Sequence, residues 1–183
     1  MMIAVACRPP TPGRDCMSNS IAADQIDQAA PALDLRPVFR QAASSAWVVT
    51  ATGDAGPVGF TAISVNSVSM DPPIVSFNVS GGSSSLATLG RTRRVAIHLL
   101  DRQQEPTARR FAGPRQQRFV DDGSWGYAAD GLPCLAGVSA RLTADISDLV
   151  PAGDSFVVLA EVSAARHAPN SGPLVHHAGS YRA

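Results

Sequence analysis

A glycine- and serine-rich segment after a predicted strand is the part of the sequence best suited to binding an anion. Gly81-Gly82-Ser83-Ser84-Ser85 follows the strand-like run Ile74–Val79 and precedes the apolar segment Leu86–Leu89. Two glycines allow a ligand to approach the backbone closely, and serines that open a short helix direct N–H groups and hydroxyls at one point. The segment therefore suits the binding of a phosphate. A plain surface turn with a serine helix cap is the alternative, and the pattern alone favours that alternative.

A second feature is the hydroxyl-rich stretch Thr61–Ser69, which lies between segments typical of a core. A strand made only for packing would hold more valine and isoleucine, so these hydroxyls could line a ligand that carries many hydrogen-bond acceptors. The alternative is an edge strand with a solvated serine and threonine face, which is the commoner situation.

The cationic side chains are all arginines, because fifteen arginines and no lysine make up the basic residues. The absence of lysine excludes Schiff-base catalysis and the glycine-lysine pair of a P-loop. Fifteen acidic residues balance the charge to zero, which argues against nucleic acid or an anionic membrane as the main partner. Any side-chain cation at a bound phosphate must therefore be arginine, and the candidates are Arg118 and the cluster Arg91, Arg93 and Arg94.

The histidines and cysteines form no recognisable catalytic or metal-binding motif. His98 lies within an apolar strand and is interpreted as a hydrogen-bonded core residue, whereas His176 and His177 would point to opposite faces of a strand. The three cysteines are widely spaced, so we expect neither a disulfide framework nor a metal site. No segment approaches the roughly 18 apolar residues of a membrane span. These features predict a cytoplasmic protein.

The elements that must position these residues are mainly strands. The sequence predicts a flexible arm over residues 1–32, with Met17 as an alternative natural start, and one domain over residues 33–183. A helix capped by Asp34 is predicted from about Leu35 to Ser45, short helices from Leu86 and Asp101, and a long loop over residues 113–133. The predicted strands are Trp47–Thr50, Val58–Met70, Ile74–Val79, Val95–Leu100, Val138–Ile146, Ser155–Ala165 and Leu174–His177. Many strands with three short helices indicate a closed β-barrel.

A series of short motifs runs in a fixed order from about Phe39 to Tyr181. They are Gly59-Phe60-Thr61-Ala62, Ser67–Ile74, Ser83-Ser84-Ser85, Val95–Leu100, Arg110-Phe111-Ala112, Arg118-Phe119, Trp125 and Gly131–Gly137. Each motif alone is weak, but the ordered set resembles the flavin reductase-like family. The resemblance implies a mainly β fold, an FMN-binding split β-barrel of Greek-key type with a few short helices, which forms a homodimer.

The resemblance also implies an activity and a site. The expected reaction is NAD(P)H-dependent reduction of FMN or FAD, which supplies reduced flavin to a partner monooxygenase without any catalytic side chain. The residues expected to contact the flavin, largely through backbone, are Thr61, Ala62, Ile63 and Ser64. Those expected at its phosphate are Ser80, Gly81, Ser84 and Ser85, with Arg118 and Phe119 closing the site.

The sequence departs from the family pattern at several of these positions. Gly153-Asp154-Ser155 stands where the family has a Gly-Asp-His motif linked to nicotinamide binding, which makes Asp154 and Ser155 the candidate nicotinamide contacts. Ile63 replaces an asparagine, Gly81 replaces a common arginine, and the segment between Ala43 and Trp47 is shorter than usual. Two alternatives therefore stay open: a flavin-binding carrier or electron-transfer partner that does not use NAD(P)H, and an interaction module that has lost flavin.

Overall fold

The computed structural model describes residues 33–168 and 172–182, and a compact unit begins at Leu35. The arm predicted over residues 1–32 lies outside the described residues and stays a prediction. The helices are α1 (Arg36–Phe39), α2 (Leu86–Thr92) and α3 (Glu105–Ala112). The strands are β1 (Ser44–Ser45), β2 (Trp47–Gly53), β3 (Gly56–Ala62), β4 (Asn66–Met70), β5 (Pro73–Ser80), β6 (Arg94–Leu99), β7 (Trp125–Tyr127), β8 (Pro133–Leu135), β9 (Ala140–Ala152), β10 (Ser155–His167), β11 (Val175–His177) and β12 (Ser180–Arg182). In this part of the chain, no helix has the length and apolar character needed to cross a membrane.

Seven antiparallel strands form the main sheet, in the order β3-β2-β6-β9-β10-β5-β4. The two edge strands, β3 and β4, are consecutive in the chain and are joined only by Ile63-Ser64-Val65. The sheet therefore curls so that its two edges meet at this connection, which gives a barrel that is split between β3 and β4. This confirms the expected split β-barrel.

The apolar core follows from the alternation of side chains along the strands. In β5, Val75, Phe77 and Val79 are buried while the intervening residues face outwards, as a half-buried strand requires. A second apolar cluster lies on the outer face of the sheet, where Ala108 and Phe111 of α3 pack against neighbouring residues. Helix α3 therefore covers the face of β3 that points away from the barrel interior.

The first helix is shorter than the sequence predicts. Helix α1 covers only Arg36–Phe39, and its N-cap is Leu35, with no side-chain cap hydrogen bond, so the predicted cap at Asp34 is wrong. The helix buries none of its residues, and packing therefore gives it no reason to continue. Ser44–Ser45 instead pair with β11, so the predicted helix cannot extend to Ser45.

The long strand predicted over Val58–Met70 is two strands with a bend between them. The hydroxyl of Ser64 accepts the backbone N–H of Asn78 at 2.9 Å, and the Asn66 side chain donates to the Ser64 carbonyl at 2.9 Å. These two bonds replace the ladder that a continuous strand would form, so the chain turns at this point. We refer to Ile63-Ser64-Val65 as the bend.

Two further predictions need adjustment. Helix α3 begins at Glu105 and not beside Asp101, although the Gln104 side chain does accept the Asp101 N–H at 2.9 Å. The loop predicted over residues 113–133 contains a 3-10 turn at Arg115–Gln117 and strand β7, which pairs with β8.

Candidate functional site

The bend and the end of β3 form the first wall of the candidate site. The Thr61 hydroxyl donates to the Ala108 carbonyl of α3 at 2.6 Å, and the Ala62 side chain is buried in the core. Ile63, by contrast, is 44% exposed. Because the side chains of Thr61 and Ala62 are already used by the fold, any contact from these two residues to a ligand must come from their backbone.

The free edge of β5 faces this wall. Because the Asn78 N–H donates to Ser64, it points away from β10, and its pair with Val157 is a non-hydrogen-bonded one. Pairs alternate along an antiparallel ladder, so Ser80, two residues further on, presents its backbone on the same side. Its carbonyl accepts the Ser83 N–H at 2.9 Å. Asn66 and Asn78 help to shape the site but were not identified from the sequence, where only their polarity within strand-like segments marks them.

The turn Gly81–Ser85 continues from this edge into α2. The Gly82 N–H donates to the Ser80 hydroxyl at 3.3 Å, which tightens the turn, while Ser84 is exposed. Ser85 is only 1% exposed, and its hydroxyl does not cap the helix and has no hydrogen-bond partner among residues 33–168 and 172–182. The structure therefore leaves Ser80 and Ser84 accessible to an anion and turns Ser85 inwards.

The hairpin between β9 and β10 packs against the same turn. The Gly81 N–H donates to the Asp154 carbonyl at 2.8 Å, and a Cβ placed on Gly81 would lie 3.1 Å from that oxygen. Ser155 pairs with Ser80 across the ladder, and its hydroxyl donates to the Asp154 carboxylate at 2.9 Å. The predicted flavin and nicotinamide contacts Ser80, Gly81, Asp154 and Ser155 are thus brought together by one pair of strands.

Arg118 and Phe119 fasten the loop after α3 onto the outer face of β3. The Arg118 guanidinium donates to the Gly59 carbonyl at 2.7 Å and to the Gly113 carbonyl at 2.8 and 3.0 Å. Burial, and then the neighbouring Arg115, lower the pKa of this guanidinium. The Phe119 ring packs edge-on between Phe111 and Trp125, at centroid distances of 5.0 and 4.9 Å. Arg118 thus reaches β3 at Gly59, two residues before Thr61, and both residues are engaged with the protein itself.

The other arginines considered from the sequence lie towards the far end of α2. Arg91, in the last turn of α2, pairs with Asp54 at 3.1 Å, and Arg93 donates to the Ser147 carbonyl at 2.9 Å. Arg94 lies 4.0 Å from Asp145. The cluster therefore lies at the opposite end of the helix from the turn. There the three arginines contact carboxylates and a carbonyl of the protein itself.

His98 is a core residue, as interpreted from the sequence. It is fully buried, with Nδ1 3.1 Å from the Val48 carbonyl, which in the neutral ring accepts the Nδ1–H. Burial lowers its pKa to about 4, so the ring is neutral near pH 7.

Comparison with known proteins gives consistent matches over this unit. The profile of the Flavin reductase like domain matches residues 39–183. An NADH:FMN oxidoreductase of Rhodococcus erythropolis is 38% identical over 153 residues, which cover 81% of this chain and 79% of the relative. The reductase subunit HsaB of a flavin-dependent monooxygenase from Rhodococcus jostii is 27% identical over 88% of this chain and 80% of the relative. The NADH:FAD oxidoreductase SgcE6 of Streptomyces globisporus, solved with NAD and FAD fragments, superposes with a TM-score of 0.76 at 33% identity, covering 81% of this chain and 90% of that one.

Proposed function

Because the chain belongs to the flavin reductase-like domain family, we propose that it catalyses NAD(P)H-dependent reduction of FMN or FAD. When bound, flavin would supply the redox chemistry by accepting a hydride from NAD(P)H, so no side chain has to carry electrons. The relatives named NADH:FMN and NADH:FAD oxidoreductase support both flavins as substrates. The observation that carries the proposal is the adjacency of the bend, the β5 edge and the turn Gly81–Ser85, which follow one another along the free side of β5. We refer to this surface as the groove.

The residues of this groove fit a flavin phosphate and ring. The exposed hydroxyls of Ser80 and Ser84 would hold the phosphate. The backbone N–H groups of Gly81, Gly82 and Ser83 are already bonded within the protein, so the hydroxyls are the main donors. Gly81 keeps the turn in contact with the hairpin, because any side chain there would press on the Asp154 carbonyl. Along Thr61–Ser64 the backbone would hold the ring, where fixed N–H donors stabilise the negative charge that a reduced ring gathers. Asp154 and Ser155 would meet the nicotinamide beside the turn.

We extend the proposal to the assembly and its partner. The similarity to HsaB supports delivery of reduced flavin to a monooxygenase. A homodimer that covers the groove is supported by exposed apolar side chains on β4, where Val68 is 55% and Met70 is 83% exposed. An apolar recess of about 310 Å³ adjoins them, between Trp47, Val65 and Ile74. Sedimentation should give a dimer at micromolar concentration, and a monomer would contradict this part of the proposal.

The domain division and the location are also proposed. The match of the family profile to residues 39–183 supports a flavin reductase-like domain over residues 33–183, and the division at residue 32 is part of the proposal. A reductase that draws on NAD(P)H would work in the cytoplasm, where that pool is held, and cell fractionation tests this.

A second candidate function is flavin binding without NAD(P)H oxidation. The observation that favours it is Ser155, whose hydroxyl bonds to Asp154 where the family has a histidine ring linked to nicotinamide binding. Such a protein would carry flavin or pass electrons to a partner.

One spectroscopic experiment separates these functions. The protein is mixed with FMN or FAD under anaerobic conditions, and NADH or NADPH is then added while the flavin absorption band is recorded. Bleaching of the band at a rate that depends on the protein supports the reductase. Tight yellow protein that neither nucleotide bleaches supports the carrier, and failure to quench added flavin fluorescence supports an interaction module.

A further inference from the structure

Helix α3 and the loop after it hold β3 by hydrogen bonds at two points. The Thr61 hydroxyl donates to the Ala108 carbonyl at 2.6 Å. Two residues earlier in β3, the Arg118 guanidinium donates to the Gly59 carbonyl at 2.7 Å. The same guanidinium donates to the carbonyl of Gly113, which caps the end of α3, at 2.8 and 3.0 Å. One planar group therefore joins the end of α3 to β3.

The pairing of β3 with β2 shows which edge of β3 Arg118 holds. Because Arg118 bonds to the Gly59 carbonyl, that carbonyl points away from β2, and the pair of Gly59 with Thr50 is a non-hydrogen-bonded one. Pairs alternate along an antiparallel ladder, so Thr61 also presents its backbone away from β2, at the split in the barrel. Gly59 and Thr61 are thus successive positions of one open edge, about 7 Å apart along the strand.

Close packing keeps this open edge from moving towards α3. The Phe111 ring of α3 is fully buried, and a Cβ on Gly59 would lie 3.1 Å from its Cε1 atom and 2.9 Å from the Val49 carbonyl oxygen. The ring therefore lies directly on the strand and leaves β3 no room to approach. The hydrogen bonds from Arg118 and Thr61 keep the strand from moving away, so the edge is held in both directions.

We propose that Arg118 is a positioning residue of the flavin site, which fixes the Gly59 carbonyl and through it the backbone of Thr61. The inference rests on the proposed function, which assigns the flavin ring to the backbone of Thr61–Ser64. All three nitrogens of the Arg118 guanidinium bond to protein carbonyls, so its role is to hold the strand and not to bind the flavin phosphate.

A fixed edge matters most for the reduced state of the ring. Backbone donors along Thr61–Ser64 would stabilise the negative charge of a reduced ring only while they stay in place. Loss of the bond to Gly59 should therefore weaken the binding of reduced FMN more than that of oxidised FMN, which lowers the midpoint potential of bound FMN. A residue that only stabilises the fold would leave this potential unchanged in the folded protein.

The test uses the full chain and substitutions at the two points of attachment. Arg118→Ala removes the bonds to both carbonyls. Arg118→Lys keeps the charge but has one nitrogen in place of three, so it cannot hold both carbonyls in the same geometry. If Arg118→Ala does not fold, Thr61→Val takes its place, because it frees the same edge from α3 with little change in volume.

Two other arginines provide matched controls. Arg110 lies in α3 and bonds to two side chains of the same loop, so Arg110→Ala disturbs the loop without removing a bond to β3. Arg115 is exposed and close enough to Arg118 to lower the pKa of its guanidinium. Arg115→Ala therefore removes a neighbouring charge and leaves the bonds of Arg118 intact.

Three measurements are made on each variant. Fluorescence titration gives the Kd of FMN, spectroelectrochemical titration gives the midpoint potential of bound FMN, and urea unfolding gives the stability. Arg118→Ala should raise the Kd of FMN about fivefold and lower the potential, and Arg118→Lys should recover these values only in part. Arg110→Ala should lose stability and Arg115→Ala should keep it, both with the parental Kd and potential.

The possible outcomes separate positioning from the alternatives. A parental Kd or a parental potential in Arg118→Ala would overturn the inference. Full recovery in Arg118→Lys, or an equal loss in Arg115→Ala, would overturn it because charge alone would then explain the effect. An equal loss of FMN binding in Arg110→Ala would overturn it in favour of a general disturbance of the loop. A parent protein that binds no flavin would instead refute the proposed function, and the titration of the parent alone reveals this.

Discussion

Ser64→Ala tests whether the bend between β3 and β4 is a wall of the flavin site. In the parent, the Ser64 hydroxyl accepts the Asn78 N–H at 2.9 Å where the β4–β5 ladder stops at Asn66. Removing this acceptor frees the bend from β5. The bond is exposed, so water can replace the lost acceptor and no buried donor is left unsatisfied.

The size of the effect follows from that exposure. A hydrogen bond of this kind contributes about 1 kcal/mol net, so the free energy of unfolding should fall by about that amount and Tm by about 2–4 °C. If flavin binding requires the bend in its present place, holding it there without this bond makes the binding free energy about 1 kcal/mol less favourable. The Kd of FMN should then rise about fivefold.

Urea unfolding and quenching of FMN fluorescence measure the two effects separately. Ser64→Thr keeps the oxygen and should restore both values, whereas Ser67→Ala, which removes only a 3.7 Å contact with the Met70 sulfur, should change neither. Reduced stability with parental FMN binding would show that the bend is not part of the flavin site. Parental stability in Ser64→Ala would show that the bond to Asn78 stabilises nothing.

Three further substitutions or conditions have expected outcomes. Burial lowers the pKa of His98 from 6.5 to about 4. As the pH falls, His98 is therefore protonated in the unfolded chain before it is protonated in the folded one. The free energy of unfolding, measured with urea, should fall by about 3 kcal/mol between pH 7 and pH 4 and stay level above pH 7. A His98→Gln variant that loses as much stability over the same pH range would contradict this. Arg118→Ala removes the donors to the Gly59 and Gly113 carbonyls, so the free energy of unfolding should fall by about 2 kcal/mol and FMN binding should weaken. An unchanged Kd for FMN would show that Arg118 does not contribute to the flavin site. Ser155→His should lower the KM for NADH in steady-state assays, and an unchanged KM would argue that the hairpin does not meet the nicotinamide.

The strands were predictable where a run of β-branched or alternating apolar residues marks them. Ile74–Val79 alternates onto the barrel core, whereas Trp47–Thr50 is buried on both faces, with Val49 in the barrel core and Val48 in the cluster beside α3. The break at Ser64 was not predictable, because it depends on a hydroxyl that meets Asn78 from a different strand. The helix predicted up to Ser45 failed for a similar reason, since pairing with β11 overrides a local preference.

The site was predictable in its parts but not in its contacts. The glycines and serines of the turn mark it in the sequence, and the family resemblance indicates what it would hold. The contact between Gly81 and Asp154 depends on the pairing of β5 with β10, which no local pattern reveals. Likewise, the sequence makes Arg118 a candidate phosphate ligand, while its bonds to Gly59 and Gly113 become visible only once β3 and the loop after α3 are packed together.

The irregular edge of β4 determines how another protein can cover the split in the barrel. The pairing of β4 with β5 shifts register between Ser67 and Ser69, so Val68 falls outside the regular ladder. Such a bulge twists an edge strand and makes it a poor template for a further strand. A second molecule would therefore cover β4 through the side chains of Val68 and Met70, face on, and would not extend the sheet across the two copies. The same irregularity makes it harder for a strand of another molecule to pair with the exposed edge of β4 and start aggregation when nothing covers the groove.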